Sequence, residues 1–472
     1  MNTKGLLLPI FSLPGKFGIG EFGKEAFSFI RLLKDNGFNT WQILPLNPIS
    51  FGHSPYQPFS SYAIEELYLS LDDLHEKGLI KKPKSFRVGK SHINYEQVRS
   101  FKEPYYQEAF ENYLLLNGNQ KIKEFAIANP HIDKYASFMA NKRLNDNKCW
   151  NDWDKLEAFG FQKLKDYYLL LQMLLLEQWN KIHIYAKENG ISIIGDLPFY
   201  VGYDSSDVYY NQKYFLLGEN KLPLFVAGVS PDYFSIFGQR WGNPIYNFDE
   251  LKKNDYSFLV NRIGYASYLY DRIRLDHFRA FDTYYVIDAK YEDARIGKWL
   301  EAPGYEIFDL LFAKYQNIDI IAEDLGDLRP EVYRLKEHYK LPGMNVLEFN
   351  LDNIIQMGKL EGKLLPNEIT YIGTHDNMTL SGFIISLKMS QKSAYKRYFV
   401  SLGINARSLE DMILIYAFKY FENVIISFSD FMHLNNHARI NTPSSLNESN
   451  WTIRLKDFKL LKYYLKKGIQ NV

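Results

Sequence analysis

Three acidic stretches carry the residues that could do chemistry. RLDHFRAF at 274–281, IAEDLGD at 321–327 and YIGTHDN at 371–377 each follow a β-branched run, and each leaves a carboxylate where a strand should end. Asp276, Glu323 and Asp376 are therefore candidates for one site, and ISIIGDL at 191–197 adds Asp196 at the end of a further run. Arg274 stands two residues before Asp276, so strand alternation puts both on one face, where the guanidinium keeps Asp276 ionised. A carboxylate held ionised suits a nucleophile, whereas one lifted by neighbouring acids from about 4.3 towards ~6–7 suits a proton donor. Glu323, with one more methylene and acids around it, is the better candidate donor. A metal site is the competing reading, because His375, Asp376, His277 and Asp196 are all possible ligands. No HxH or HExxH lies on these runs, so the expectation is chemistry without a metal. Asp324 and Asp327 are expected to be helix caps, Asp327 for a helix that has Pro330 in its first turn.

The elements that must position these acids are short and regular. Eight apolar, β-rich runs occur: GLLLPI at 5–10, TWQILPL at 40–46, ISIIGDL at 191–197, RIRLD at 272–276, DIIAED at 319–324, MNVLEF at 344–349, ITYIGT at 369–374 and NVIISF at 423–428. Helical patterns lie between most of them, as at 24–37, 249–272 and 329–340. Strands apolar on both faces and alternating with helices imply a parallel sheet, and eight such units favour closure into an α/β (β/α)₈ TIM barrel. Active sites of such barrels sit at the carboxyl ends of the strands, which is where the four acids fall. The whole chain, 1–472, is expected to be a single catalytic barrel domain with two interruptions. A helical insertion is expected over 68–165, between strands two and three, and an active-site loop rich in Tyr, Gly, Pro and Asn over 200–248, between strands three and four.

Composition narrows the class. With 56 basic against 55 acidic residues the net charge is +1, which implies neither a nucleic acid nor an anionic membrane as partner and points to a neutral substrate. No glycine fingerprint for a dinucleotide opens any helix, so no cofactor is expected. A single cysteine, Cys149, excludes an internal disulfide framework and fits a reducing compartment. Pro9 interrupts the short apolar stretch at the start, and no run reaches the roughly 18 apolar residues needed to span a bilayer. A cytoplasmic protein is the expectation.

Aromatic residues indicate the substrate. They make up 16% of the chain and cluster with amide, hydroxyl and charged groups in SPYQPFSSYA at 54–63 and VSPDYFSIFGQRWGNPIYNF at 229–248. Pyranose rings present apolar C–H faces and hydroxyl rims, and aromatic platforms rimmed by polar side chains match that shape. Tyr233, Phe234 and Trp241 are candidate platforms, with Asp232 and Asn243 as candidate rim groups.

Together these motifs closely resemble the amylomaltase family of 4-α-glucanotransferases, which is allied to the α-amylase clan. The resemblance runs nearly end to end: GIGEFG at 18–23, WQILPLNP at 41–48, SPYQPFSSYA, IIGDLPFYVGYDSSDVY at 193–209, PDYFSIFGQRWGNPIY at 231–246, RLDHFRAF, IAEDLGDL, PGMNVLEF at 342–349, THDN and ARINTPSSLNESNW at 438–451. It implies a retaining transfer of α-1,4-glucan segments, with Asp276 as nucleophile, Glu323 as acid/base and Asp376 as a third acid that grips the reacting sugar. It also implies sugar-binding roles for Tyr56, Asp196, Arg274 and His375, and a loop at 229–246 that closes over the glucan. Expected partners are malto-oligosaccharides and α-1,4-glucans; a hydrolase of the same clan, which would use water as acceptor, is the alternative. The chain departs from the family pattern after SPYQPFSSYA, where IEELYLS replaces the usual Gly-Asn-Pro run, and in SFSDFMHLNNHARIN at 427–441. These departures bear on the outer sugar subsites. The first strand begins almost at once, and no starch-binding domain is expected before it.

Overall fold

The computed structural model describes all residues except 1, 87, 88, 90, 232–234, 358–366, 446 and 470–472. Among the described residues, twelve strands follow in chain order: β1 Lys4–Leu7, β2 Thr40–Gln42, β3 Ser192–Leu197, β4 Phe225–Val229, β5 Gln239–Pro244 and β6 Arg272–Leu275. The rest are β7 Thr283–Asp288, β8 Lys298–Glu301, β9 Ile320–Ala322, β10 Gly343–Val346, β11 Glu368–Tyr371 and β12 Val424–Ser427. Eight of these form one sheet in the order β10-β11-β12-β1-β2-β3-β6-β9, every pair parallel. They are the eight apolar runs of the sequence, buried on both faces by helices outside and side chains inside. The architecture is an α/β TIM barrel.

The helices follow from the same patterning. In Lys24–Asp35, Ala26, Phe29, Ile30 and Leu33 share one buried stripe, with Glu25 in the first turn and Lys34 in the last to suit the helix dipole. Inside the barrel, the Tyr371 hydroxyl on β11 donates to Gln42 Oε1 on β2 at 2.7 Å and satisfies both buried groups across the lumen.

Between β9 and β10 the ladder is replaced by a different fastening. The Ala322 N–H donates to the Pro342 carbonyl at 2.8 Å, and the Met344 N–H donates to Asp324 Oδ1 at 2.7 Å. The other Asp324 oxygen takes the Nζ of the buried Lys336. Gly343 is required here, because a Cβ would stand 2.5 Å from both Asp324 Oδ2 and Lys336 Nζ. Asp324 therefore closes the seam and is not a helix cap. Nor is Asp327: the helix Pro330–His338 has Arg329 at its N-cap with no side-chain capping bond, and Pro330 in its first turn. Proline at that position already removes one orphan donor.

Residues 68–165 contain the helices Leu71–Glu76, Tyr95–Asn117, Gln120–Ala128 and Pro130–Leu144. The helix Phe161–Glu188 runs without a break from this region to the turn before β3, so the expected edge at 165 falls inside a continuous element. Trp179 in that helix donates from Nε1 to the Leu269 carbonyl at 3.0 Å, which ties it to the barrel wall. At the other end, fully buried Lys102 pairs with Glu21 and donates to the carbonyls of Leu67 and Leu69.

Two further expectations need correction. The segment 200–248, expected as a loop, contributes β4 and β5 to a four-stranded antiparallel sheet in the order β5-β4-β7-β8, completed by residues 283–301. The helix expected over 249–272 is two helices, Phe248–Lys252 and Ser257–Leu269, separated by Asp255 and Tyr256 at φ of 50° and 49°. Left-handed backbone at two successive residues cannot be continued as a helix. Among the described residues, no helix is long and apolar enough to cross a membrane.

Candidate active site

Arg274 organises the floor of the site. β6 is paired with β3 so that Arg274 faces Asp196, and one of its terminal nitrogens, Nη1, lies 2.8 Å from each oxygen of Asp196 and 3.0 Å from Asp276 Oδ1. The other, Nη2, approaches Glu323 Oε1 at 3.9 Å. Asp276 and Glu323, from the ends of β6 and β9, thus share one guanidinium. Gly195 makes room for this register: a Cβ there would stand 2.1 Å from the ring of Tyr270, which packs behind the strand.

One cation faces three carboxyl groups, and its contacts decide which of them stays protonated. Asp196 has both oxygens on Arg274, Asp276 has one, and Glu323 has only the longer contact. Burial pushes both reacting candidates up, Asp276 to about 7 and Glu323 to about 8. Arg274 pulls each back, while Asp376 raises both. The shorter bond from Arg274 makes Asp276 the one that ionises first, and the repulsion between the two holds the proton on Glu323. Glu323 Oε2 also accepts the His277 N–H at 2.7 Å. That bond depends on left-handed backbone at His277, whose φ is 51°. The His277 imidazole is neutral, pushed down to about 4 by burial and then by Arg279.

Asp196 itself is 1% exposed and stands behind the floor: Arg274 covers it from one side and the Tyr56 hydroxyl donates to its Oδ2 at 2.7 Å. Tyr56 stacks on His375 with ring centroids 5.2 Å apart and an interplanar angle of 12°. His375 Nε2 lies 3.4 Å from Asp376 Oδ2, and burial lowers its affinity for a proton. Trp451 completes an aromatic corner, 5.6 Å from Tyr56 and 5.8 Å from His375. Trp241 lies edge-on to His277 with centroids 4.9 Å apart. The amide of Asn243, expected at the sugar rim, is 4% exposed and engaged with the Val201 carbonyl and Gln57. Asp232, Tyr233 and Phe234 lie outside the described residues.

Arg274, Asp276, Glu323 and the aromatic corner line one open cavity of about 3250 Å³, far beyond the roughly 300–1,000 Å³ that suits a small ligand. Its walls come from the loop after β2 (Tyr56, Gln57), the helical insertion (Tyr95, Arg99), the antiparallel sheet (Trp241, Trp299) and the segment after β12 (Asn441, Trp451). Tyr56, Trp241, Asn243, Arg274, Asp276, Glu323, His375 and Asp376 all border it. Among the described residues, no group of three or more His, Cys, Asp or Glu could hold a metal ion. Sequence reading did not single out Trp451, Arg439 or Asn441; the motif at 438–451 had marked their segment without showing which strand end it meets.

An open cleft lined by paired carboxyls is now in place, and comparison with known proteins gives the family. Residues 8–461 match the family profile described as 4-alpha-glucanotransferase. A 4-alpha-glucanotransferase of Aquifex aeolicus is 36% identical over 485 aligned residues, 99% of this chain and 98% of the relative. One from Clostridium butyricum is 37% identical over 95% of each chain. Among solved structures, the amylomaltase of Streptococcus agalactiae in complex with acarbose superposes with a TM-score of 0.92 at 32% identity, covering 99% of this chain and 98% of that one. The shared length, the barrel and the motifs at its strand ends agree: the chain belongs to the 4-alpha-glucanotransferase family.

Proposed function

We propose that the protein transfers α-1,4-glucan segments from a donor malto-oligosaccharide to the 4-hydroxyl of an acceptor glucan or glucose by a retaining double displacement. The observation that carries this is the pair of carboxyls on one guanidinium: Asp276 held for ionisation at 3.0 Å, Glu323 left with the proton. Glu323 donates to the glycosidic oxygen while Asp276 attacks the anomeric carbon from the opposite face. That step calls for carboxyl groups about 5–5.5 Å apart, a spacing compatible with one shared guanidinium. Formation of the glycosyl–Asp276 ester leaves Glu323 ionised. Glu323 then takes the proton of the incoming 4-hydroxyl, and the second inversion restores the original configuration.

Asp376 and His375 contribute hydrogen bonds to ring hydroxyls that strengthen as the ring flattens, and Arg274 fixes the nucleophile. Tyr56 and Trp451 offer aromatic surface beside the reacting ring. Asp196 acts from behind, orienting Arg274 and Tyr56. Trp241 is assigned to the acceptor side, with Asn243 holding its loop. Each 1.4 kcal/mol that acceptor subsites supply at the second transition state favours sugar over water tenfold, and a cavity of this volume has room for such subsites.

Incubation with maltotriose tests the reading. Transfer yields glucose together with maltopentaose and longer oligomers, with little net gain in reducing ends. Glucose and maltose alone, with reducing ends rising in step, would make the protein a hydrolase.

A further inference from the structure

The segment after β12 meets the turn that carries Asp376. Residues 439–441 reach back over the end of β11 and hold the His375–Asp376 turn at three points, two of them on Asp376. Asn441 Nδ2 donates to Asp376 Oδ1 at 2.6 Å. Arg439 Nη2 donates to the Asp376 carbonyl at 2.5 Å, and its Nε donates to the Asn441 carbonyl at 2.7 Å. The Asn441 N–H donates to the His375 carbonyl at 3.0 Å. The turn carrying Asp376 is also braced internally: Thr374 Oγ1 accepts the Asp376 N–H at 3.2 Å and donates to Asn377 Oδ1 at 2.8 Å. Backbone and carboxylate are therefore fixed separately, the turn by Thr374, Asn377 and Arg439, the side chain by Asn441.

The need for such fixing is physical. The Asp376 side chain is 43% exposed in an open cavity, and Asp276 and Glu323 both interact repulsively with it. A free carboxylate in that field would rotate away from the other acids towards solvent. Arg274 is already engaged with Asp196 and Asp276. The bond from Asn441 occupies Oδ1 and leaves Oδ2, the oxygen on the His375 side, for the substrate.

We propose that Asn441 and Arg439 are positioning residues that lock the Asp376 carboxylate in the orientation required to bind the reacting sugar in its flattened form. The inference rests on the role given above to Asp376. The carboxylate's bonds to the ring hydroxyls matter most at the transition state, so loss of the lock lowers kcat more than it raises KM.

A double-mutant cycle on maltotriose tests it, with Asn441→Ala, Asp376→Ala and the two combined. Misplacing a catalytic group by about 1 Å costs on the order of 100-fold, so Asn441→Ala should lower kcat by about that factor with KM within about threefold. In the Asp376→Ala background, where there is no carboxylate to hold, the same substitution should change the remaining rate by less than about twofold, the non-additivity expected of residues acting as a unit. Equal losses in both backgrounds, or a raised KM at unchanged kcat, would mean that Asn441 binds sugar on its own and would overturn the lock. Arg439→Met, which keeps the stem but removes both donors, gives the same reading if Asn441→Ala does not fold. Wild-type rates from Asp376→Ala would remove the role of Asp376 itself and the purpose of the lock with it. A slow Asp376→Ala with an additive Asn441→Ala leaves that role standing and overturns the lock alone.

Discussion

At the scale of single residues, the site divides one positive charge among unequal claimants. Arg274 contacts both oxygens of Asp196, one of Asp276 and Glu323 only at 3.9 Å, and on the proposed function that ordering separates the nucleophile Asp276 from the acid Glu323. The consequence can be read in the pH dependence of kcat/KM. Activity needs Asp276 ionised and Glu323 protonated, and burial raises both groups, so the rate should rise and then fall with both limbs displaced above the ordinary carboxylate range. Initial rates on maltotriose from pH 4 to 10 should give a narrow bell; a plateau extending down to pH 5 would show that Asp276 is ionised well before the arrangement requires. The three acids were legible in the sequence because each ends a β-branched run, and the tie between Arg274 and Asp276 because strand alternation is a local rule. Asn441 was not, since it meets Asp376 across 65 residues and no local pattern states that pairing. Trp451 was hidden likewise: its place beside Tyr56 and His375 depends on how the chain returns after β12.

At the scale of elements, the barrel strands were legible because a strand buried on both faces must be apolar throughout, a demand that the antiparallel sheet does not make. In β5, QRWGNP, and β8, KWLE, most side chains stay partly or fully exposed, so neither reads as an apolar run. The break between Phe248–Lys252 and Ser257–Leu269 was masked by a hydrophobic pattern that continues past the left-handed pair Asp255 and Tyr256. The seam between β9 and β10 is the place where element and site meet, for Asp324 adjoins Glu323 and substitutes a carboxylate for ladder bonds. Asp324→Ala would leave buried Lys336 with only its 3.9 Å contact to Glu368 and the Met344 N–H without its acceptor. Breaking a buried pair from one side costs about 3–5 kcal/mol, so denaturant unfolding should show a loss of that order, with reduced activity as Glu323 shifts. A stability within about 1 kcal/mol of the parent would show that the seam is held by packing instead.

At the scale of the whole molecule, elements far apart in sequence converge on one cavity. The loop after β2, the helical insertion, the antiparallel sheet and the segment after β12 build its walls, while β6, β9 and β11 supply the acids at its floor and β3 the one behind it. Eight units could be counted in the sequence, and closure followed from the count. Which surfaces the insertions present to the cleft could not, because that depends on buried polar fastenings such as Lys102 with Glu21, whose partners lie in separate elements. The central claim is that Asp276 and Glu323 work on opposite faces of one sugar, the first forming a covalent bond that the second cannot then help to break if it is removed. Mass spectrometry of Glu323→Ala treated with α-maltotriosyl fluoride, whose leaving group needs no acid, tests this most directly. The account predicts a protein heavier by one maltotriosyl unit, with the label on the peptide carrying Asp276. Unlabelled protein releasing the β-anomer, or a label on another carboxylate, would contradict it.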